Sequence, residues 1–540
     1  MSDSAALAGE RAGQAERPNL DQGTHFAGIL VFLALLLIGL GFTVHGLVGD
    51  ISRGGEPLAL GAFVLLGLAL LIALGFEFVN GFHDTANAVA TVIYTHSLAP
   101  QFAVVWSGAF NFLGVLTSSG AVAFSVLTLL PVELILQVGQ GAGFAMIFAL
   151  LIAAMIWNLG TWSLGLPASS SHTLVGSIIG VGLANQVMAE PGSGVSGVEW
   201  SQALAVFKAL LFSPFVGFVA SGLLLLVMKM LIRKPALYEA PAGSRPPPLW
   251  IRALLVLTCT GVSFAHGSND GQKGMGLIML ILIGAAPTAY ALNHAMPDSR
   301  MPAFFAASAH VAALFEEHAK GAPLPPPDVA RSTVTDALKL KRVNEPAVYA
   351  SLATLALDIR HQVEEHGTLT HVPAAAVQNI RNEMFMVDEA IRVMQKQHVA
   401  FSDDEAKILA SYKLGLDDST KFIPTWVKVA VAVALGLGTM VGWKRIVVTV
   451  GEKIGKSHLT YAQGASAELI AAATIAGADM FGLPVSTTHV LTSGVAGTMA
   501  ANGSGLQWST VKSLALAWVL TLPAAILLAG GIYVVLRSLM

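Results

Sequence analysis

The sequence predicts an all-α polytopic membrane protein: about ten to twelve transmembrane helices in two inverted repeats, with discontinuous helices and a soluble helical insert. Three observations carry that expectation. The 540 residues have a mean hydropathy of +0.68 and only 12% charged side chains, about half the share of a soluble domain. Apolar runs of bilayer length recur along most of the chain. A pair of polar motifs, set inside those runs, occurs twice.

Taken in order, residues 1–25 form a polar tail with both charge signs, and 26–50 an apolar helix too long for a signal segment. Further apolar segments lie near 58–79, 84–95, 102–130, 142–163, 167–187, 203–231, 251–266, 270–291, 425–449, 459–480, 484–501 and 509–537. The pairs 58–79 with 84–95 and 251–266 with 270–291 read as single interrupted elements. Residues 292–424 differ in kind. They hold most of the charge, the proline run PLPPP (323–327) and amphipathic stretches such as NIRNEMFMVDEAIRVMQKQH (379–398), so soluble helices are expected there. Loops 232–252 and 442–458 are rich in Lys and Arg, which predicts a cytoplasmic side for both. Cys259 is the sole cysteine, which excludes an internal disulfide and a cysteine metal cluster. No Lys/Arg-rich stripe points to nucleic acid.

The repeat fixes the plan. FHDTAN (82–87) precedes GLPASSSHTLVGS (165–177), and HGSNDGQ (266–272) precedes GLPVSTTHVLTSG (482–494). Asp84 and His172 are 88 positions apart; Asp270 and His489 are 219 apart, and removing the 133 residues of 292–424 brings that to 86. The first repeat is therefore 58–231, the linker 232–250, and the second repeat 251–291 with 425–540. Five crossings between the two Asp motifs make the second copy upside down relative to the first, a plan common in secondary transporters.

The motifs suit ion chemistry. A carboxylate in the bilayer core is costly and normally faces a partner or a wet cavity. Around Asp84 and Asp270, the glycines Gly81, Gly267 and Gly271 permit unwinding, while Asn87, Asn269, Thr85 and Ser268 supply neutral oxygens for a hard cation or a proton. Alone, either Asp reads equally well as a helix cap; recurrence favours function. Pro167 and Pro484 break the chain ahead of Ser169, Ser170 and Ser171, and of Ser486, Thr487 and Thr488. Each set sits at a predicted helix N-terminus, where unpaired N–H groups and the dipole favour a phosphate or another tetrahedral oxyanion. A permanent cation is nearly missing, Lys273 excepted, so weak binding of an anion balanced by Asp-held cations is expected. His172 and His489 are candidate proton relays, the plainer alternative being buried imidazoles that bond to a neighbour. Glu77 and Glu468 are further acids on apolar segments; Glu468 has no acidic counterpart in the first half. His83–Asp84 lacks the further ligands of a metal phosphohydrolase site.

GFHDTANAVATVIYT (81–95), SFAHGSNDGQKG (263–274), LPASSSHT and LPVSTTHV resemble the inorganic phosphate transporter (Pit) family, and the likeness runs from about residue 58 to the end. The resemblance implies symport of inorganic phosphate with a proton or sodium ion by alternating access in a bacterial inner membrane. It also implies phosphate carried as a neutral complex with Mg²⁺, Ca²⁺ or Zn²⁺. The family's motif residues fall on Asp84, Asn87, Asn269 and Asp270. Ser169 to Ser171 and Ser486 to Thr488, with Asn87 and Asn269, then line the phosphate site, with Asp84, Asp270 and Glu468 on the coupling ion, and Asp84 and Asp270 facing the metal of the substrate complex. Gln272 and Lys273 replace part of the cation shell, and the SAE-type glutamate occurs once, which favours protons over sodium. The alternatives are a sodium-coupled symporter, a permease for sulfate or another oxyanion, or, remotely, a hydrolase built on Ser171–His172 or Ser486–His489. No permanent cofactor is expected, the bilayer is the surrounding partner, and a homo-oligomer stays open.

Overall fold

The computed structural model describes residues 17–21, 23, 26–54, 58–84, 86–130, 141–189, 197–241 and 243–539. Most of the expected tail, and Thr85, lie outside them. Among the described residues the regular structure is helical. The chain begins with α1 (Phe26–Arg53), α2 (Leu60–Asp84), α3 (Ala86–Tyr94), α4 (Pro100–Thr117), α5 (Ala121–Leu127), α6 (Gly141–Ser163), α7 (Ser170–Met188) and α8 (Trp200–Leu231). It continues with α9 (Leu249–Ala285), the short α10 (Pro287–Tyr290), and five helices of the insert: α11 (Met301–His318), α12 (Pro327–Leu340), α13 (Pro346–His366), α14 (Ala374–Lys396) and α15 (Asp403–Thr420). Last come α16 (Thr425–Thr439), α17 (Lys444–Val448), α18 (Tyr461–Met480), α19 (Thr487–Asn502) and α20 (Trp508–Leu539).

Among the described residues, six helices are long and apolar enough to cross a bilayer, or up to eight if two sharply bent pairs each count as one span. The count expected from hydropathy is higher for a physical reason. α7 and α19 are short and carry serine, threonine and glycine, so neither satisfies a span criterion alone. The expected crossing 102–130 is also not straight: α4 ends at Thr117 and α5 leaves at 76°. Segment 442–458, expected as a loop, folds in part into α17 and a π-turn over Thr449–Lys453.

One expectation needs correcting. Gly267 and Gly271 do not unwind the second Asp segment, because α9 runs unbroken for 37 residues through both. Their missing side chains serve packing instead. A Cβ at Gly267 would fall 2.2 Å from the carbonyl oxygen of Asn111 on α4, and one at Gly271 would meet Val115 at 2.6 Å. A Cβ added to Gly114, on α4, would likewise strike the Phe264 carbonyl. The same arrangement occurs in the other half: a Cβ on Gly81 of α2 would strike the Leu435 carbonyl, and one on Gly438 of α16 the Phe78 carbonyl. Small residues let helix backbones meet where lipid supplies no hydrophobic drive to association.

Exchange of partners between the halves extends further. α2 packs on α16 and α9 on α4; α8 packs on α19 and α20 on α7. α8 and α20 each have 32 residues, begin Trp-Ser and carry an interior proline, Pro214 and Pro523. The insert closes a separate apolar core around Phe315, Tyr349, Ile359, Met384 and Tyr412. It touches the rest of the chain through Lys341 on Glu199 and Lys396 on Gln202. α1 lies on α16, with Gly46 against Trp426 and the Trp426 indole N–H donating to Asp50 at 2.8 Å.

Candidate functional site

Proline and hydroxyl chemistry build the floor of the site. After the breaks at Pro167 and Pro484, α7 and α19 start as the sequence predicts: the Ser169 hydroxyl accepts the backbone N–H of His172 at 3.2 Å, and Ser486 that of His489 at 3.1 Å. These caps satisfy one orphan donor of each helix. They also commit the oxygens of Ser169 and Ser486 to shaping the termini, and leave Ser170, Ser171, Thr487 and Thr488 as the groups beyond the caps. All four are buried.

Asp84, at the end of α2, faces both termini. Its Oδ2 accepts from the Ser170 hydroxyl at 2.5 Å and the Ser170 N–H at 3.4 Å; its Oδ1 accepts from Thr488 at 2.9 Å and from His83 Nδ1 at 2.8 Å. A carboxylate so deeply buried is tolerable only with such a set of donors. Each of these is neutral or titratable; none carries a permanent charge. The carboxylate therefore occupies the position at the α7 N-terminus that suits an anion.

Asp270, midway along α9, belongs to the same cluster. Ser170 Oγ lies 3.5 Å from its Oδ2, so one hydroxyl reaches both aspartates. Lys273 donates to Asp270 Oδ1 at 2.7 Å, to the Ser171 hydroxyl, and at 3.5 Å to the carbonyl of Val485 in the approach to α19. Asn87 donates to Thr488 at 3.1 Å and to the Asp84 carbonyl at 2.8 Å. Asn269 works differently from the anion contact expected of it. Its amide donates to the Leu483 carbonyl at 3.1 Å and its Oδ1 accepts from Val485 N–H at 3.5 Å, which pins the loop ahead of α19.

Several residues were missed or only noted in the sequence. His266 stands one turn before Asp270, its Nε2 3.5 Å from Asp270 Oδ2 and its Nδ1 2.8 Å from Asn111 Oδ1. Asp84, His266 and Asp270 each offer an atom within 4.8 Å of the others, a set able to hold a metal ion, so the expected oxygen-only shell gains a nitrogen. The i, i+4 spacing of His266 and Asp270 was the available signal. Asp479 accepts from Ser268 at 2.6 Å and Gln272 at 2.5 Å. Glu77, fully buried, lies so close to α9 that a Cβ at Gly274 would strike its carboxylate.

Two candidates stand apart from the aspartates. Glu468 accepts from Thr91 of α3 and Thr258 of α9, forming a separate buried carboxylate. His172 and His489 meet each other, ring centroids 4.6 Å apart, and His489 stacks on Trp518 at 4.3 Å. His172 Nδ1 and His489 Nε2 are buried and have no hydrogen-bond partner among the described residues.

Residues 80–529 match the phosphate transporter family. The low-affinity inorganic phosphate transporter PitA of Escherichia coli K12 is 43% identical over 499 residues, covering 87% of this chain and 96% of that protein. A low-affinity inorganic phosphate transporter of Buchnera aphidicola from Schizaphis graminum is 39% identical, covering 87% and 95%. A solved structure described as the sodium-dependent phosphate transporter aligns with a TM-score of 0.48 at 21% identity, covering 88% of this chain and all of that one.

Proposed function

The chain belongs to the phosphate transporter family, and on that premise we propose that it is a secondary symporter of inorganic phosphate, coupled to protons, working by alternating access in a bacterial inner membrane. Phosphate binds between the N-termini of α7 and α19, at Ser170, Ser171, Thr487 and Thr488, with Ser169 and Ser486 setting the termini. Asn87 and Asn269 hold the surrounding backbone and hydroxyls. The two halves act as inverted repeats, a reading supported by the partner exchange of α2/α16 with α9/α4.

One observation carries this reading: Asp84 takes both the hydroxyl and the N–H of Ser170, the donors an entering phosphate would use. Carboxylate and phosphate then compete for one helix terminus. A proton on Asp84, or a cation beside it, weakens its hold on Ser170 and Thr488 and releases those donors. Binding of cation and anion is thereby linked, each favouring the other by the same free energy. Asp270, tied to Ser170, lets the second half sense the same event. Glu468 is a further protonatable carboxylate, and the His172–His489 pair takes part only if a rearrangement brings it to the cluster.

The charge balance supports a metal–phosphate complex as substrate. Asp84, His266 and Asp270 could face a Mg²⁺, Ca²⁺ or Zn²⁺ ion travelling with phosphate, and a neutral complex crosses a low-dielectric pocket at less cost than a bare anion. Uptake into proteoliposomes, with pH gradient, sodium and divalent metal varied one at a time, tests the proposal. Accumulation should follow an inward proton gradient, need a divalent metal and persist without sodium. Uptake driven by sodium alone would overturn proton coupling, and equal inhibition by sulfate would overturn phosphate selectivity.

A further inference from the structure

The two halves of the pocket place corresponding residues in corresponding contacts. Asn87 stands three positions after Asp84, and Lys273 three after Asp270. The Asn87 amide donates to Thr488, and the Lys273 ammonium to Ser171, each a hydroxyl third in its cap sequence on the other half's helix. The contacts are alike; the charge is not. Among the described residues Asp84 is met by His83, Ser170 and Thr488 and by no permanently charged group, whereas Asp270 has one at 2.7 Å.

We propose that Lys273 is a tethered cation, its ammonium filling beside Asp270 the place a mobile monovalent ion would otherwise take, so that the second half of the pocket needs no ion from solution. This rests on the reading of the pocket as the transport site and specifies its ion requirement. The ammonium is held by a carboxylate oxygen, a hydroxyl oxygen and the Val485 carbonyl at 3.5 Å. An all-oxygen shell with one anionic member is also what a hard cation seeks. Lys273 is 1% exposed, and its ammonium lies against the Asp270 carboxylate, the partner a buried cation needs. The lysine stem brings its charge through protein rather than from solvent, and confines the exchange of monovalent ions to the Asp84 half. Gln272 cannot stand in for it, since its amide is bonded to Asp479 and its carbonyl to the Val122 N–H at 2.9 Å.

Replacing Lys273 by its first-half counterpart tests this. In proteoliposomes without sodium, Lys273→Asn should lower phosphate uptake at least about tenfold, because Asp270 is left uncompensated; added Na⁺ should restore it, with wild type indifferent to Na⁺. Equal uptake with and without Na⁺, or a folded variant that Na⁺ does not rescue, overturns the proposal. A second measurement needs no transport. In detergent, Na⁺ should raise the melting temperature of Lys273→Asn by roughly 3 °C or more. It should leave unchanged both wild type and the Asp270→Asn/Lys273→Asn double variant. Absence of that shift in Lys273→Asn also overturns the proposal. Wild type failing to take up phosphate would instead refute the transport reading and leave the melting test standing.

Discussion

Acids in the insert and acids in the membrane body are treated differently. In the insert, Glu383 faces Arg331, Asp388 faces Lys413 and Lys421, and Glu389 faces Arg392. Each is met by a resident cation, from a neighbouring segment for Glu383 and Asp388 and from the same helix for Glu389. In the body, Asp84 is held by hydroxyls, an N–H and an imidazole, Glu468 by two threonines, and Asp479 by a serine and a glutamine. Charge is costlier there, yet resident cations are scarcer, with Lys273 the exception beside Asp270. The difference is the one expected if the insert's acids are structural and the proposed site's acids meet a visiting cation.

That contrast can be broken first at its strongest point. Asp84→Asn and Asp270→Asn should each cut phosphate uptake by about a hundredfold or more, since each removes a group the cycle titrates or compensates. Both proteins should still insert and fold. Full uptake by both would erase the distinction. Next in size is the packing that brings the halves together. Gly267→Val and Gly438→Val should each cost about 1–3 kcal/mol or more, because the new side chain meets a backbone carbonyl; a lower melting temperature in detergent checks this, and an unchanged one would contradict the packing account.

Smaller effects sharpen the comparison. Ser170→Ala should weaken phosphate binding about tenfold, the worth of a hydrogen bond to a charged group, whereas Ser486→Ala, losing a cap, should cost stability by about 1 kcal/mol with a weaker effect on binding. Titration of phosphate into the purified variants separates the two. In the insert, burial and the neighbouring Asp358 raise the Glu383 carboxyl from its usual 4.5 to about 7. The folded insert thus holds a proton that the unfolded chain releases. The stability linked to that proton is complete below pH 4.5 and drains away as pH rises through 7. Hydrogen exchange across 374–396 should therefore quicken between pH 5 and pH 8 beyond its intrinsic rise, about as 2.303RT per unit allows. Glu383→Gln should flatten that excess, with uptake unchanged.

Much of this was legible in the sequence because the signals are local. Pro167 and Pro484 followed by serines announce capped helix starts, and the caps form where expected. The charge-rich stretch 292–424 announces helices with a core of their own. The glycines were legible as special and not as to purpose: unwinding and close packing both demand a missing Cβ, and only the Asn111 and Leu435 carbonyls decide for packing. His266 was hidden because a histidine one turn from an aspartate is ordinary on a helix, and its meaning depends on Asp84 arriving from α2. Glu468 reads as an intramembrane acid like the others; its partners Thr91 and Thr258 lie 377 and 210 positions away. The exchange of Asn87 for Lys273 is visible once the repeats are aligned, but the oxygen shell around the ammonium is not.

The competition between Asp84 and phosphate for the α7 terminus is tested most directly by phosphate binding to purified wild type and Asp84→Asn, titrated calorimetrically side by side at one pH. Asp84→Asn should bind phosphate more tightly than wild type, because the neutral amide is a weaker rival for the Ser170 donors. A variant that binds phosphate no more tightly than wild type, or loses binding, would contradict the account.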